Sequence, residues 1–306
     1  MKQIKRHKKQ KMSIFLVFLG FLGLILLMAY FLAGQDVALL QPKGFISHEQ
    51  FKLSMTVLAI VLAIGIPSVG LLYLIVWRYR DTNTKATRET ESERSALFLF
   101  VLWMIPISVG VLISLIVWES THRLAPQKPI SEIEKPLVVK VVAMRWKWLF
   151  LYPEQQIASL NYVQIPENTP VRFEVTADDA PMTSFWIPHL SGQIYSMTGH
   201  VNRINVMGTE VGDYTGSTPE INGEGFAGMR FKTRVSSAQD FEAWVISTKA
   251  NNNTLSLSKY DELLLPTEKT DSVFYASYDQ NLYDKMLMKY MSMHGDDSET
   301  NHEGHH

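Results

Sequence analysis

The chain has 306 residues, with 29 basic and 30 acidic side chains and a formal net charge of −1. That length admits one globular domain together with membrane segments, and the balanced charge excludes the basic surface that nucleic-acid binding requires. Cysteine is absent, which excludes disulfides, Cys zinc sites, iron–sulfur clusters and thiolate copper sites.

The chain opens on a basic tail, residues 1–12, carrying Lys2, Lys5, Arg6, Lys8, Lys9 and Lys11. Residues 13–33, "SIFLVFLGFLGLILLMAYFLA", contain no charge and reach the roughly 20 residues that cross a hydrocarbon core. They read as a transmembrane helix or as a secretory signal. Their length exceeds the usual signal h-region and no clean A-x-A site follows, which favours an uncleaved helix. "FLAGQD" resembles a lipoprotein-processing box with Gln35 at the place of the required Cys, so lipid attachment there is impossible. Residues 54–77 and 96–118 are two further apolar spans. Pro67 and Pro106 inside them are tolerated where neighbouring helices satisfy the freed carbonyls. Arg78, Arg80, Lys85, Arg88 and Arg94 follow the second span, whereas only Lys43 and Lys52 lie between the first two. By the positive-inside rule the tail and the 78–95 loop are cytoplasmic and everything after Glu119 lies outside. The spans contact membrane lipid.

Residues 123–136, "RLAPQKPISEIEKP", are polar and Pro-rich and read as a linker. From 137 to 236 the period changes to strand alternation, as in "PLVVKVVAM", "TPVRFEVTA", "HVNRINVM" and "GMRFKTRV", separated by turn residues. This pattern predicts a Greek-key sandwich or barrel. Trp146, Trp148, Phe150 and Tyr152 fall at spacing two in "RWKWLFLY", so on a strand they share one face. That face is either sandwich core, an aromatic belt at the membrane, or a platform against a partner protein. Residues 237–292 return to helical pieces, "AQDFEAWVIS", "KYDELLL" and "QNLYDKMLMKYMSM". Residues 293–306 form a polar, acidic, His-rich tail with His294, His302, His305 and His306, near Met291 and Met293. It reads as disordered and solvated. The competing reading is a free-standing membrane-anchored module that binds metal through this tail.

The segment "STPEINGEGFAGM", 217–229, has the glycines of a tight loop but no Cys or His. Its meaning comes from a resemblance. "ALLQPKG", "VWRYR", "WESTHRLAPQKPI", "EKPLVVKVVAMRWKWLFLYPEQQIA", "MTSFWIPHLSGQIYSMTG" and "GEGFAGMRF" together resemble subunit II of the haem–copper terminal oxidases, over about residues 38–292 and nearest to the bo-type ubiquinol oxidase branch. The resemblance implies a membrane-anchored all-β fold: N-terminal transmembrane helices, then a Greek-key cupredoxin-like sandwich with C-terminal helices.

In the cytochrome c oxidase branch that sandwich holds the two-copper centre CuA, with a His before Ser-Trp and a second loop C-x-E-x-C-G-x-x-H-x-x-M. On this pattern Thr183 stands at the first His, Thr218 and Asn222 at the two Cys, and Phe226 at the second His, while Glu220 and Met229 match. Hydroxyl and amide groups do not replace bridging thiolates, and a Phe ring there would pack as apolar filler. The resemblance therefore implies a chain with no catalytic residue, metal or cofactor of its own. It would serve assembly and docking in a proton-translocating quinol oxidase of the bacterial inner membrane. Subunit I would carry the haems and one copper and oxidise ubiquinol, and oxygen would be reduced to water. Trp146, Trp148 and Tyr152 would line the contact with subunit I. His189 and His200 read as surface or hydrogen-bonded residues. A Glu common in the family near the mouth of a proton channel falls at Leu99 here, with Glu91 and Glu93 further out.

Overall fold

The computed structural model describes residues 19–21, 23–28, 30–31, 37–80, 83–84, 95–131 and 135–299, with side chains described as far as Tyr290. Residues 1–41 and 42–306 are two separate units. In the first, the described residues between 19 and 31 are helical, and Leu40 N–H closes a turn on the Val37 carbonyl. The basic tail, residues 1–12, lies outside the described residues, as do Lys85, Arg88, Glu91, Glu93 and Arg94.

The second unit begins with two long helices, α1 (Phe45–Arg78) and α2 (Ala96–Arg123). Their most apolar windows have mean hydropathy 2.5 and 2.6, and neither window is buried within the chain. At 1.5 Å per residue α1 is about 50 Å long, well beyond a hydrocarbon core of about 30 Å. It starts nine residues before the apolar span expected at 54, and α2 runs on to Arg123. The first turn of α1 reaches the β domain.

That domain contains β1 (Leu137–Met144), β2 (Lys147–Tyr152), β3 (Ile157–Leu160), β4 (Tyr162–Pro166), β5 (Val171–Ala177), β6 (Thr183–Trp186), β7 (Gln193–Ser196), β8 (Asn202–Val206), β9 (Gly212–Ser217) and β10 (Arg230–Ser236). After it come α3 (Ala238–Lys249), β11 (Thr254–Leu255), α4 (Leu257–Leu264), β12 (Val273–Tyr275), β13 (Ser277–Tyr278) and α5 (Leu282–Glu299). One sheet has the order β12-β3-β2-β1-β5-β8 and the other β4-β10-β9-β6-β7. The C-terminal region is thus not purely helical, because β12 pairs with β3 and extends the first sheet. The helix α5 runs through Glu299, past the break expected at 293. His302, His305 and His306 lie outside the described residues.

Strand alternation divides β1 and β2 between two cores. Val139, Val141 and Ala143 of β1, with Trp148, Phe150 and Tyr152 of β2, point between the sheets. Val142, Met144, Leu149 and Leu151 point outward under the C-terminal elements, against Tyr260, Tyr275, Leu282 and Met286. The inner core is aromatic: Phe185 stacks on Phe231 with centroids 5.2 Å apart, and Trp148 meets both edge-on at 5.5 and 5.7 Å. Rings prefer such edge and offset geometries, and each fully buried Phe contributes about 1.5–3 kcal/mol through desolvation.

The start of α1 is fixed to the sandwich by backbone bonds. Phe45 N–H donates to the Met207 carbonyl at 2.9 Å, Lys43 N–H to His189 at 2.8 Å, and Thr209 N–H to Lys43 at 2.9 Å. The Ser47 hydroxyl donates to the His189 carbonyl at 2.7 Å. Gly44 forms a bridge with Gly208 and lies so close to Leu190 that a Cβ would fall 2.5 Å from its carbonyl oxygen. On the other side the Asn205 amide donates to the Pro126 and Lys128 carbonyls, both at 3.1 Å. The first part of the expected linker is therefore hydrogen-bonded to β8.

Candidate functional site

The residues singled out around 183 and 218–229 meet at one end of the second sheet. Trp186 of β6 pairs with Ser217 of β9, which brings the start of β6 beside the loop after β9. The buried hydroxyls of Thr183 and Thr218 are hydrogen-bonded to each other. Thr218 Oγ1 also donates to Glu220 Oε2 at 3.4 Å, so Thr183 is the donor of the first bond. Ser184 Oγ donates to Glu220 Oε1 at 2.6 Å. Both oxygens of this half-buried carboxylate are thereby engaged, and they tie the loop to β6.

Further along, Asn222 Nδ2 donates to Met229 Sδ at 3.3 Å, and Met229 is fully buried. Phe226 is half-buried in the short 3-10 helix Glu224–Gly228. The loop is covered by Trp146. Its ring lies against Gly223 and Gly225, where added β-carbons would come within 3.0 Å and 2.3 Å of it. Gly223 also has φ +123°, a conformation that L side chains rarely adopt.

These residues do not fit a two-copper centre. Bridging thiolates are absent from the sequence, the two threonine hydroxyls are engaged with each other and Glu220, and the Met229 thioether is met by an amide donor. Oxygen donors in this arrangement do not supply the soft shell that such copper needs. What the arrangement does chemically is close the end of the sandwich.

The aromatic series is corrected in two ways. Trp146 is not on the strand: it sits in the two-residue β1–β2 turn with φ +64°, and β2 begins at Lys147. Trp148 and Tyr152 are fully buried, so they cannot line a contact with another subunit. The second sheet covers them, and Tyr152 OH donates to the Gln164 carbonyl at 2.9 Å inside the domain. Burial pushes the Tyr152 hydroxyl far above its ordinary pKa. His189 is committed to the helix joint through its carbonyl, with its ring 5.4 Å from that of Tyr214. His200 is exposed in a turn. Leu99 is in the first turn of α2 and exposed.

Two buried charged groups escaped the sequence reading. Lys147, 2 % exposed, donates to the Leu265 carbonyl at 2.8 Å and Thr267 Oγ1 at 2.6 Å, and burial lowers its pKa. Asp178, also 2 % exposed, accepts from Tyr260 OH and Tyr290 OH, both at 2.6 Å, and from Lys289 Nζ at 3.2 Å. Burial, then the Asp178 charge, pushes the Tyr260 hydroxyl far up. Burial opposes the charge on Lys289, but Asp178 outweighs it and the pKa is raised. The separation of these partners along the chain, 82 to 112 residues, left no local signal. The density of tyrosines after 259 was the one available hint.

The model for the cytochrome c oxidase subunit II periplasmic domain matches residues 151–235, and that for the COX aromatic rich motif matches 249–294, which spans the Tyr260–Tyr290 cluster. The chain is 37 % identical over 273 residues to cytochrome bo(3) ubiquinol oxidase subunit 2 of Pseudomonas aeruginosa, covering 89 % of this chain and 82 % of that one. It is 33 % identical over 280 residues to quinol oxidase subunit 2 of Bacillus subtilis, covering 90 % and 84 %. A crystal structure of the periplasmic domain of subunit II of cytochrome oxidase from Bradyrhizobium japonicum is 24 % identical, with TM-score 0.36, covering 39 % of this chain and 97 % of that one. Two apolar helices and a periplasmic-domain match describe a membrane-anchored chain with a periplasmic cupredoxin-like domain. The chain belongs to the ubiquinol oxidase subunit 2 family of terminal oxidases.

Proposed function

We propose that this chain is the docking and assembly subunit of a proton-translocating oxidase in which ubiquinol is oxidised at subunit I, with haems and one copper held there and oxygen reduced to water. The observation that carries this reading is the loop after β9: Thr183, Thr218 and Glu220 satisfy one another, so this domain offers no copper relay for electrons from a soluble cytochrome. Ubiquinol as donor is supported by the names of the relatives. Multi-pass insertion with the β domain outside rests on the two long apolar helices and on the Lys and Arg distribution.

In this role the chain acts by shape. The Gly44, Ser47 and Asn205 contacts hold the sandwich at a set angle on its helices, so that subunit I meets a rigid body. Trp146 is half-buried at the end of the sandwich, which supports it as the member of the aromatic series that would contact subunit I. The reading of the chain as a free-standing metal-binding module is not favoured, given its relatives.

Oxygen uptake by the purified complex containing this chain tests the reading. Uptake with ubiquinol and none with reduced cytochrome c is expected. Uptake with reduced cytochrome c would overturn it.

A further inference from the structure

On the outer face of the first sheet, strand register sets two arginines diagonally. Arg172 of β5 faces Asn205 of β8, and Glu174 of β5 faces Arg203 of β8. Both arginines border a cavity of about 250 Å³ that Gln127 and Val201 also line. Asn205 organises this place. Its amide donates to the Pro126 and Lys128 carbonyls, which fixes the segment carrying Gln127 against β8, and its Oδ1 accepts from Arg172 Nε at 3.5 Å.

Neither guanidinium is saturated. Arg172 makes only that long bond to a neutral amide, and Arg203 meets Glu174 through Nε alone, at 3.3 Å. The Nη groups of both have no hydrogen-bond partner among the described residues. Lys140 of β1 stands in the same row as Glu174 and Arg203, so three cations face one carboxylate on the outer side of β1, β5 and β8. That surplus of two positive charges matches a dianion. A planar guanidinium presents paired N–H groups that suit an oxyanion. Diagonal positions on paired strands lie about 7–8 Å apart at their bases, near enough for both side chains to reach one small anion. The cavity is about eight times the roughly 30 Å³ share of a water molecule, which leaves room for such an anion and its water. Val201 is the one apolar side chain in the lining, so there is no wall for an acyl chain or an aromatic base.

We propose that this cavity binds one phosphate dianion, inorganic or carried on a small soluble ester, between Arg172 and Arg203. Gln127 lies on the segment that follows α2, so bound phosphate would tie that segment to β5 and β8 and stiffen the sandwich on its helices. The proposal is independent of the electron donor.

The test is isothermal titration calorimetry of the purified complex with inorganic phosphate, in a phosphate-free buffer. One saturable site per copy of this chain is expected. Arg172→Gln should weaken it at least about tenfold, the effect of losing a hydrogen bond between charged groups. Glu174→Gln should tighten it, because Arg203 is then released from its competing carboxylate. Acetate should compete about tenfold more weakly than sulfate, since it is a monoanion that one guanidinium satisfies. Thermal unfolding is the folding control, and Glu174→Gln keeps the test decisive should Arg172→Gln fail to fold. Identical titrations of wild type and Arg172→Gln, no tightening in Glu174→Gln, or equal competition by acetate and sulfate would overturn the proposal. So would tighter binding of short-chain phosphatidylglycerol than of phosphate, which would make this a lipid headgroup site.

Discussion

The indole of Trp146 rests on the backbone of Gly225 so closely that an added β-carbon would lie 2.3 Å from Cδ2 of the ring. The β1–β2 turn and the loop after β9 are therefore one packed unit, although about eighty residues separate them. This contact explains why the loop keeps its glycines without metal ligands. Gly225→Ala should destabilise the domain by about 1–3 kcal/mol, the usual cost of overpacking. The double variant with Trp146→Ala should recover part of that loss. Thermal unfolding of the four species in a double-mutant cycle checks the coupling, and additive effects would refute it.

On the family pattern that the sequence resembles, Thr183 and Phe226 would fall at two imidazole positions and Thr218 and Asn222 at two thiolate positions. Replacing them together, as Thr183→His, Thr218→Cys, Asn222→Cys and Phe226→His, should give a loop that binds a pair of copper ions with strong visible absorption from thiolate ligands. Metal analysis beside the unaltered chain reads the result. If the variant folds and stays colourless with copper, the loop backbone does not keep the geometry of that centre.

Asp178 holds the C-terminal elements by accepting from Tyr260 on α4 and from Tyr290 and Lys289 on α5. Asp178→Ala strands the buried Tyr260 hydroxyl and removes the acceptor of the half-buried Tyr290 hydroxyl, and should cost about 3 kcal/mol, since hydrogen bonds to a charged group contribute about 1.5–3 kcal/mol each. Asp178→Asn should cost less. Limited proteolysis should cut first between 250 and 290 in the Ala variant. Unchanged protection there would show that apolar packing alone holds the C-terminal elements.

Alkaline pH should loosen the same region. Burial raises the hydroxyl pKa of Tyr260, Tyr275, Tyr278 and Tyr283, that of Tyr278 to about 12. In the unfolded chain these groups ionise near pH 10. Between the unfolded and folded values the native state binds more protons, so stability is full below about pH 10 and falls as pH rises. Spectrophotometric titration should show that part of the tyrosine signal appears only together with unfolding. Ionisation of all twelve tyrosines with the fold intact would contradict the buried hydroxyls.

The joint between α1 and the sandwich leaves no room at Gly44, because the nearest atoms are the Leu190 backbone, which cannot rotate away. Gly44→Ala should lower the yield of assembled complex more than Ser47→Ala. The latter removes the hydroxyl bond to the His189 carbonyl, a loss of about 1 kcal/mol. Complex yield on a sizing column, normalised to expression, distinguishes them. Equal yields would mean that assembly does not depend on this joint.

Much of the architecture is legible locally. A run of apolar residues long enough to cross a bilayer declares itself, because a helix in lipid satisfies its own backbone. Strand alternation declares β1, β5, β8 and β10, because successive side chains face opposite ways. The absence of cysteine settles the thiolate question without any coordinates. What the order of residues determined is which segments are helices or strands and which chemistry they lack.

Tertiary structure decided the rest. Spacing two puts Trp148, Phe150 and Tyr152 on one face, but only the second sheet lying over that face makes it core rather than a contact surface. Leu149 and Leu151 become interior as well, because the segment from 255 to 286 folds back over them. Trp146 leaves the series because a two-residue turn needs its positive φ. Asp178 acquires its role from residues 82, 111 and 112 positions away. Periodicity is a property of neighbours along the chain, whereas burial depends on what arrives from elsewhere, and a carboxylate or an aromatic face has no local mark of what will cover it.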